Sequence, residues 1–258
     1  MAVKADPGGF PQRKASEVPA VSAIEMREIQ RVAQEEYGVD ILQIMENAGR
    51  SVAMLALQML GGRGRGQHVA VLAGGGNTGG AGLCAVRHLV NWGVDAEGIF
   101  AEVEAETSFL ARRQLQILRN AGIMSPADEE LSEYALEEQL ATSELVIDAL
   151  AGYGLEGAPA GMVAAATDVV MRSGRPVLAV DVPTGLNATT GLLSTPGIRA
   201  VTTLTLDLPK RGCLVPDARA AVGALYLADL GIPRTVHERL GLRLGNLFSE
   251  GPILRLRR

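Results

Sequence analysis

A strand-like apolar run that leads directly into a glycine-dense turn constrains this 258-residue chain more than any other stretch. Residues 69–82 read VAVLAGGGNTGGAG, and the LCAVRHLV that follows is typical of a helix. Glycines let the backbone approach a ligand closely, and the free N–H groups at a helix start favour an anion. Gly74, Gly76 and Gly79 satisfy G-x-G-x-x-G. A tight strand-to-helix turn needs glycine anyway, so a ligand loop and plain strand–helix packing stay equally open.

Further apolar segments have the length and composition of strands, and helical patterns separate most of them. They cover residues 96–100, 145–148, 176–180, 202–206 and 224–228. Upstream, Ser22 and Glu25 form a capping box that begins a helix, and a long apolar helix follows over residues 41–60. This alternation predicts an α/β fold with a mainly parallel sheet covered by helices on both faces. We expect a single domain over residues 21–258, preceded by a disordered tail over residues 1–20.

Charged residues within the other helical stretches are typical of solvated faces. An amphipathic helix over residues 104–121 has mixed charge, and an acidic run over residues 128–133 begins the next helix. Within the apolar helix 41–60, Glu46 and Asn47 are polar where their surroundings are not. Such residues usually face water, and a role in a site stays open for these two.

The composition excludes several classes of protein. The net charge of −5 and the lack of a basic, aromatic-interleaved surface argue against a nucleic-acid partner. No apolar run reaches the roughly 20 residues that span a bilayer, and we expect a soluble cytoplasmic protein with no membrane partner. The two cysteines form no CxxC pair, so neither a disulfide framework nor a zinc site follows. The G-x-S-x-G of α/β-hydrolases and the Walker pattern of P-loop nucleoside triphosphatases are both absent.

Two carboxylates follow predicted strands directly, as the glycine turn does. Asp148 ends the segment 145–148, and Asp181 follows the segment 176–180. Ligands of open parallel sheets bind beyond the carboxyl ends of the strands, so we expect these features to meet at one edge. Either carboxylate alone could simply hold a loop. Thr184 could add a hydroxyl, and such oxygen ligands suit a hard cation rather than zinc.

Several ordered motifs together resemble one family. They are MENAG at residues 45–49, GNTGGAG at 76–82, VIDAL at 146–150 with the glycine-rich 152–157, and VDVPTGL at 180–186, with LDLPKRG at 206–212 and DLGIP at 229–233 as later landmarks. Their order and spacing resemble the YjeF N-terminal domain family, which comprises the NAD(P)H-hydrate epimerases and the apolipoprotein A-I-binding protein. The resemblance implies a Rossmann-like three-layer αβα sandwich that is commonly a homodimer. It also implies epimerisation at C6 of the nicotinamide ring in hydrated NADH or NADPH (NADHX or NADPHX), with a bound potassium ion.

The same resemblance implies roles for individual residues. The residues that would bind the substrate are Asn77, Thr78, Gly79, Gly80, Ala81, Gly152, Tyr153, Gly154, Leu155, Glu156, Gly157 and Ala158, together with Asp181. The potassium ligands would be Thr78, Asp148 and Thr184. Asp181 would be the catalytic acid/base, because a carboxylate can shuttle protons as the C6 hydroxyl leaves and water re-adds from the other face.

The glycine turn departs from the family pattern Gly-Pro-Gly-Asn-Asn-Gly-Gly-Asp-Gly. Here Gly75 replaces proline, Thr78 replaces the second asparagine, and Ala81 replaces aspartate. The loss of a carboxylate beside the ligand favours a second hypothesis, a degenerate domain that binds a nucleotide or a protein without turnover. A third is a dinucleotide oxidoreductase with Glu102 on the ribose, which leaves the Asp181 motif without a role. The dehydratase domain that is often fused to this family would need more chain, so no ATP- or ADP-dependent dehydration is expected.

Overall fold

A single eight-stranded sheet organises the part of the chain that the computed structural model describes, namely residues 2–62, 64–101, 107–124 and 132–258. Its strands are β1 (Gln12–Lys14), β2 (His68–Ala73), β3 (Asp95–Phe100), β4 (Leu145–Ala149), β5 (Val177–Val180), β6 (Thr202–Leu206), β7 (Ala224–Ala228) and β8 (Ile253–Arg257). The strand order is β1-β8-β7-β6-β5-β4-β2-β3, and every pair is parallel except β7 with β8. The prediction of a mainly parallel sheet is confirmed.

Helices cover both faces of this sheet. They are α1 (Ala23–Glu35), α2 (Ile41–Met59), α3 (Asn77–Asn91), α4 (Phe109–Asn120), α5 (Glu133–Thr142), α6 (Gly161–Ser173), α7 (Arg211–Leu214), α8 (Arg219–Val222) and α9 (Arg234–Arg239). Val69 and Val71 of β2 pack in one cluster with α2, α3 and α4, whereas Ala70 and Leu72 pack with α5 and α6 on the other face. Successive strand side chains point to opposite faces, which produces the expected three-layer αβα sandwich.

The connections place a crevice beside β2. The chain passes from β2 to β3 at one edge and then returns to β4 on the other side of β2. Neighbouring crossovers therefore leave in opposite directions at β2 and β4, and ligands of open α/β sheets bind at such a switch point. The glycine turn follows β2 directly, and Asp148 lies within β4.

The N-terminal segment departs from the prediction of a disordered tail over residues 1–20. Residues 12–14 form β1, which pairs with β8, and the buried residues Ala15 and Val18 belong to the core. Nearer the start, the backbone N–H of Lys4 donates to Met59 O at 2.8 Å. The prediction was wrong for these residues because it rested on local polarity, whereas distant parts of the chain hold the segment in place.

Two predicted helices differ from the structure at their boundaries. The helix expected over residues 104–121 begins at Phe109 in the structure, and α5 begins at Glu133 behind the cap Ser132. Glu102, Glu104 and Asp128 lie outside the described residues. Within the described ranges, no helix is both long and apolar enough to cross a membrane.

Candidate active site

A cavity of about 490 Å³ opens beyond the carboxyl ends of β2, β4 and β5. The turn before α3 and the loop after β4 form its walls, and α1 and α2 contribute a mostly apolar side with Met26, Ile41, Ile44, Met45 and Ala48. The switch point of the sheet thus contains an open cavity of the size that small-molecule sites require.

The start of α3 gives this cavity an anion-attracting end. Gly76 precedes the first turn and carries no side chain that could cap it, and Asn77 and Thr78 line the cavity. A Cβ at Gly76 would meet open space, whereas one at Gly79 would overlap the carbonyl oxygen of Gly74. Gly79 thus permits close strand–helix packing, and Gly76 leaves the helix N-terminus accessible from the cavity.

Asp148 and Thr184 form a buried oxygen cluster near this cavity. Thr184 donates to Asp148 from its backbone N–H at 2.9 Å and from its hydroxyl at 2.7 Å, and the Leu150 N–H donates at 3.2 Å. Burial disfavours the charged form and raises the pKa of Asp148 to about 6, although these three hydrogen bonds lower it. In the described part of the chain, no cationic side chain is paired with this carboxylate.

Asp181 lies on the cavity wall in a buried ion pair. Lys210 Nζ is 2.5 Å from Asp181 Oδ1 and donates to the Leu206 carbonyl oxygen at 2.7 Å. Asp181 is 2% exposed and Lys210 is 1% exposed. Two further donors hold the carboxylate, the backbone N–H of Tyr153 to Oδ2 at 3.2 Å and that of Leu206 to Oδ1 at 3.3 Å. The carboxylate is thus fixed in one orientation at the cavity.

The backbone at Asp181 is strained. Its φ of +69° lies in the left-handed region, which costs a non-glycine residue about 1–2 kcal/mol. The hydrogen bonds from Tyr153 and Leu206 stabilise this conformation. Strained residues held by their surroundings concentrate at functional sites, and Asp181 combines this feature with burial and a charged partner on a cavity wall.

The sequence-predicted substrate residues divide into two groups. Those that line the cavity are Asn77, Thr78, Ala81, Gly152, Tyr153, Gly154, Leu155 and Asp181. The others, Gly79, Gly80, Glu156, Gly157 and Ala158, do not line it. Gly80 packs against Met45 instead, and the exposed Glu156 pairs at 3.1 Å with Arg27, which does line the cavity. Of the predicted metal ligands, Thr78 lines the cavity, whereas Asp148 and Thr184 are buried outside its lining.

Glu46 and Asn47, whose role was open, face away from the cavity. Glu46 Oε1 lies 2.8 Å from His88 Nε2, and Glu46 Oε2 accepts from Arg87 at 2.5 Å. Asn47 donates to the Leu230 carbonyl oxygen at 2.9 Å. Both residues tie α2 to neighbouring segments, which is a structural role.

Sequence reasoning missed Lys210, Arg27 and Gln30 as cavity residues. Lys210 stands in the landmark motif 206–212, so the resemblance had marked its neighbourhood without a role. Gln30 accepts from the Tyr153 hydroxyl at 2.6 Å, which anchors the aromatic side chain of the loop after β4 to α1. Helical periodicity alone could not reveal which polar residues of α1 face the cavity.

Comparisons with known proteins agree with this architecture. The family described as YjeF-related protein N-terminus matches residues 41–212. The NAD(P)H-hydrate epimerase of Dehalogenimonas lykanthroporepellens is 39% identical over 96% of this chain and 96% of its own length. The bifunctional NAD(P)H-hydrate repair enzyme Nnr of Moorella thermoacetica is 33% identical over 83% of this chain but only 41% of its own length.

A solved structure matches the fold as well. The crystal structure of yeast ynu0 (YNL200c) has a TM-score of 0.78 and 25% sequence identity, and it covers 93% of this chain and 100% of the yeast chain. The family match over residues 41–212 contains the glycine turn, Asp148, Asp181 and Lys210. The chain therefore belongs to the family of the YjeF-related protein N-terminus.

Proposed function

We propose that this protein is an NAD(P)H-hydrate epimerase that interconverts the R and S epimers at C6 of hydrated NADH or NADPH. One observation carries the proposal: Asp181 is buried, strained and paired with Lys210 on the wall of a cavity whose other end is the bare N-terminus of α3. The helix N-terminus suits a pyrophosphate, and the carboxylate suits acid–base work on a ring. Two relatives that align with this chain over nearly their whole length, from Dehalogenimonas lykanthroporepellens and Weissella koreensis, are named NAD(P)H-hydrate epimerase.

The substrate contacts follow from this placement. Asn77, Thr78 and Ala81 would contact the phosphate-bearing half, and the loop over residues 152–158 would cover the ligand. Asp181 would act at the reacting carbon as acid and base. The substrates remain NADHX and NADPHX alike, since both have the same ring chemistry.

We further propose that a potassium ion binds at Thr78, Asp148 and Thr184. Carboxylate and hydroxyl oxygens suit a hard monovalent cation, and Asp148 is a fully buried carboxylate whose described partners carry no positive charge. A Cβ on Gly152 would collide with the Thr78 hydroxyl, so that hydroxyl lies against the loop after β4. The preceding residue of this loop, Ala151, donates its N–H to the Thr184 hydroxyl at 3.0 Å. A bound potassium ion would supply the positive charge that the ionised Asp148 otherwise lacks.

We also propose that the protein is a homodimer and that it acts in the cytoplasm. The family resemblance supports the dimer. Cys84 and Cys213 are buried free thiols, as a reducing compartment allows. Light scattering on the purified protein tests the dimer, and a mass near 27.1 kDa would contradict it.

The second candidate is a binding module without turnover. Ala81 favours it, because this position lines the cavity and lacks the carboxylate of the family pattern. Asp181 and Lys210 favour the enzyme, since a module that only binds gains nothing from a strained, charged pair on its cavity wall.

The deciding experiment mixes the purified protein with the R epimer of NADHX in potassium buffer and follows the S epimer by chromatography. We expect conversion well above the spontaneous rate, a lower rate in sodium buffer, and binding without turnover for Asp181→Asn. Asp168→Asn, an exposed carboxylate on α6, is the matched control and should convert normally. Folded protein that converts nothing would establish the binding module instead.

A further inference from the structure

Lys210 stands out as a buried cation that borders the cavity and contacts the proposed acid/base. Its ammonium group is 2.5 Å from Asp181 Oδ1, and its remaining described contacts are the Leu206 carbonyl oxygen and the face of Tyr153, 5.5 Å from the ring centroid. Buried ion pairs stabilise a fold poorly, because desolvation consumes most of the attraction. A pair of this kind on a cavity wall is better explained by proton chemistry.

The other titratable groups that line the cavity in the described ranges cannot exchange protons with the substrate near pH 7. The Tyr153 hydroxyl donates to Gln30, and burial raises the pKa of Tyr153 to about 12, so it stays neutral near pH 7. Arg27 is half-exposed and pairs with Glu156, and a guanidinium does not release its proton in proteins. Among these residues, only Asp181 and Lys210 form an acid–base pair, and both lie at one place on the wall.

An acid–base pair on a single wall of the cavity limits the routes by which C6 can be epimerised. Expulsion of the C6 hydroxyl needs a proton donor on one face of the ring, and the returning water needs a base on the opposite face. Opening the ring needs only groups beside C6 and N1 on the same side. The C6 carbon of the hydrate carries both a hydroxyl and the ring nitrogen, so it can open to an aldehyde as a cyclic hemiaminal does.

We propose that Asp181 and Lys210 open and reclose the N1–C6 bond of the hydrated ring, an inference that rests on the epimerase function proposed above. Asp181 takes the proton of the C6 hydroxyl, and the freed electron pair forms the C6 carbonyl. The electrons of the N1–C6 bond move to N1, which takes a proton from the Lys210 ammonium. The products of this step are the open-chain aldehyde, a neutral carboxylic acid and a neutral amine.

Rotation about the C5–C6 bond then presents the other face of the aldehyde to N1. N1 attacks C6, Asp181 returns its proton to the oxygen, and Lys210 recovers its proton from N1. All atoms and charges balance, nothing is oxidised or reduced, and water takes no part. Ring opening replaces expulsion of the hydroxyl because both proton-carrying groups lie on one wall of the cavity.

An oxygen label tests the route with the unmodified protein. The R epimer is converted in water enriched in ¹⁸O, and the S epimer is examined by mass spectrometry at low conversion, with Asp181→Asn as the blank for spontaneous exchange. Ring opening keeps the original C6 oxygen, so we expect a largely unlabelled product. One solvent oxygen in each product molecule would overturn the inference while leaving the epimerase in place. Absence of conversion would overturn both.

Variants of Lys210 separate proton donation from charge. Lys210→Met should lower kcat by about 10²–10⁴-fold with little change in KM. Lys210→Arg keeps the positive charge but donates no proton, so it should be about as slow as Lys210→Met. Lys14→Met, on the exposed strand β1, is the control and should match the wild type. A Lys210→Arg variant that turns over substrate at the wild-type rate would show that Lys210 acts only as a counter-ion, and would overturn its role as proton donor. The labelling experiment uses the unmodified protein, so its result holds even if either variant folds poorly.

Discussion

Asp148 shows how a single buried group ties the stability of this protein to pH. Its pKa is about 6 in the folded protein and 3.8 in its ordinary state, so the folded protein binds this proton more tightly. Its contribution to stability is therefore fully present below pH 3.8 and is lost as the pH rises through about 6. The difference corresponds to about 3 kcal/mol, by the conversion of pKa shifts into free energy.

This linkage yields a prediction for potassium. The ion would bind the ionised carboxylate, so potassium should restore stability above pH 6 and do little below pH 4–5. We expect about 0.1 M KCl to raise Tm by several degrees over NaCl near pH 8, since each kcal/mol shifts Tm by about 2–4 °C in a chain of this size. Scanning calorimetry or dye fluorescence at two pH values measures the difference.

Asp148→Asn is the matched variant, because it keeps the shape of the side chain and removes the charge. Its Tm should be equal in the two salts at either pH. A potassium effect that persists in Asp148→Asn, or that is as large near pH 5 as near pH 8, would contradict binding at Asp148. It would mean that the ion binds elsewhere or acts without a specific site.

At the scale of elements, the turn between β2 and α3 separates two uses of glycine. A Cβ at Gly79 would overlap the Gly74 carbonyl oxygen, which is backbone and cannot move aside cheaply, whereas one at Gly76 would meet nothing within 4 Å. We predict that Gly79→Ala costs about 3 kcal/mol of unfolding free energy, the upper end for overpacking. Gly76→Ala should cost less than about 1 kcal/mol, as its φ of −86° suits alanine. Urea unfolding measures both, and equal losses would contradict the distinction.

The same turn shows what the sequence could and could not predict. Asp148 and Asp181 follow apolar runs directly, and parallel strands bring their carboxyl ends to one edge, so local pattern was enough to place both near the glycine turn. Lys210 could not be placed in this way. It reaches Asp181 because β5 pairs with β6 and the turn after β6 folds back, which depends on contacts between segments far apart in the chain.

At the scale of the whole molecule, the N-terminal segment joins parts that are distant in sequence. Asp6 accepts from Arg255 of β8 at 2.8 Å, and its Oδ1 also lies 2.6 Å from the hydroxyl of Tyr226 on β7. That hydroxyl is 2.7 Å from Pro7 O, and the Tyr226 ring packs edge-on against Phe10 with 5.5 Å between centroids. The polar composition of this segment suggested a free tail, whereas its polar groups at Asp6 and Pro7 bond to the hydroxyl of Tyr226 in the sheet.

Removal of residues 1–11 should therefore destabilise the domain rather than trim a disordered end. The buried Tyr226 would lose both partners of its hydroxyl and part of its apolar cover, and the edge of β8 would lose the segment that leads into β1. We expect a total loss of a few kcal/mol, and Asp6→Ala alone should reproduce part of it. Glu17→Ala, which breaks an exposed pair with Lys14 at 3.6 Å, is the control and should stay within about 0.5 kcal/mol of the wild type. Urea unfolding of the truncated protein with an unchanged midpoint would show that the segment contributes nothing to the fold.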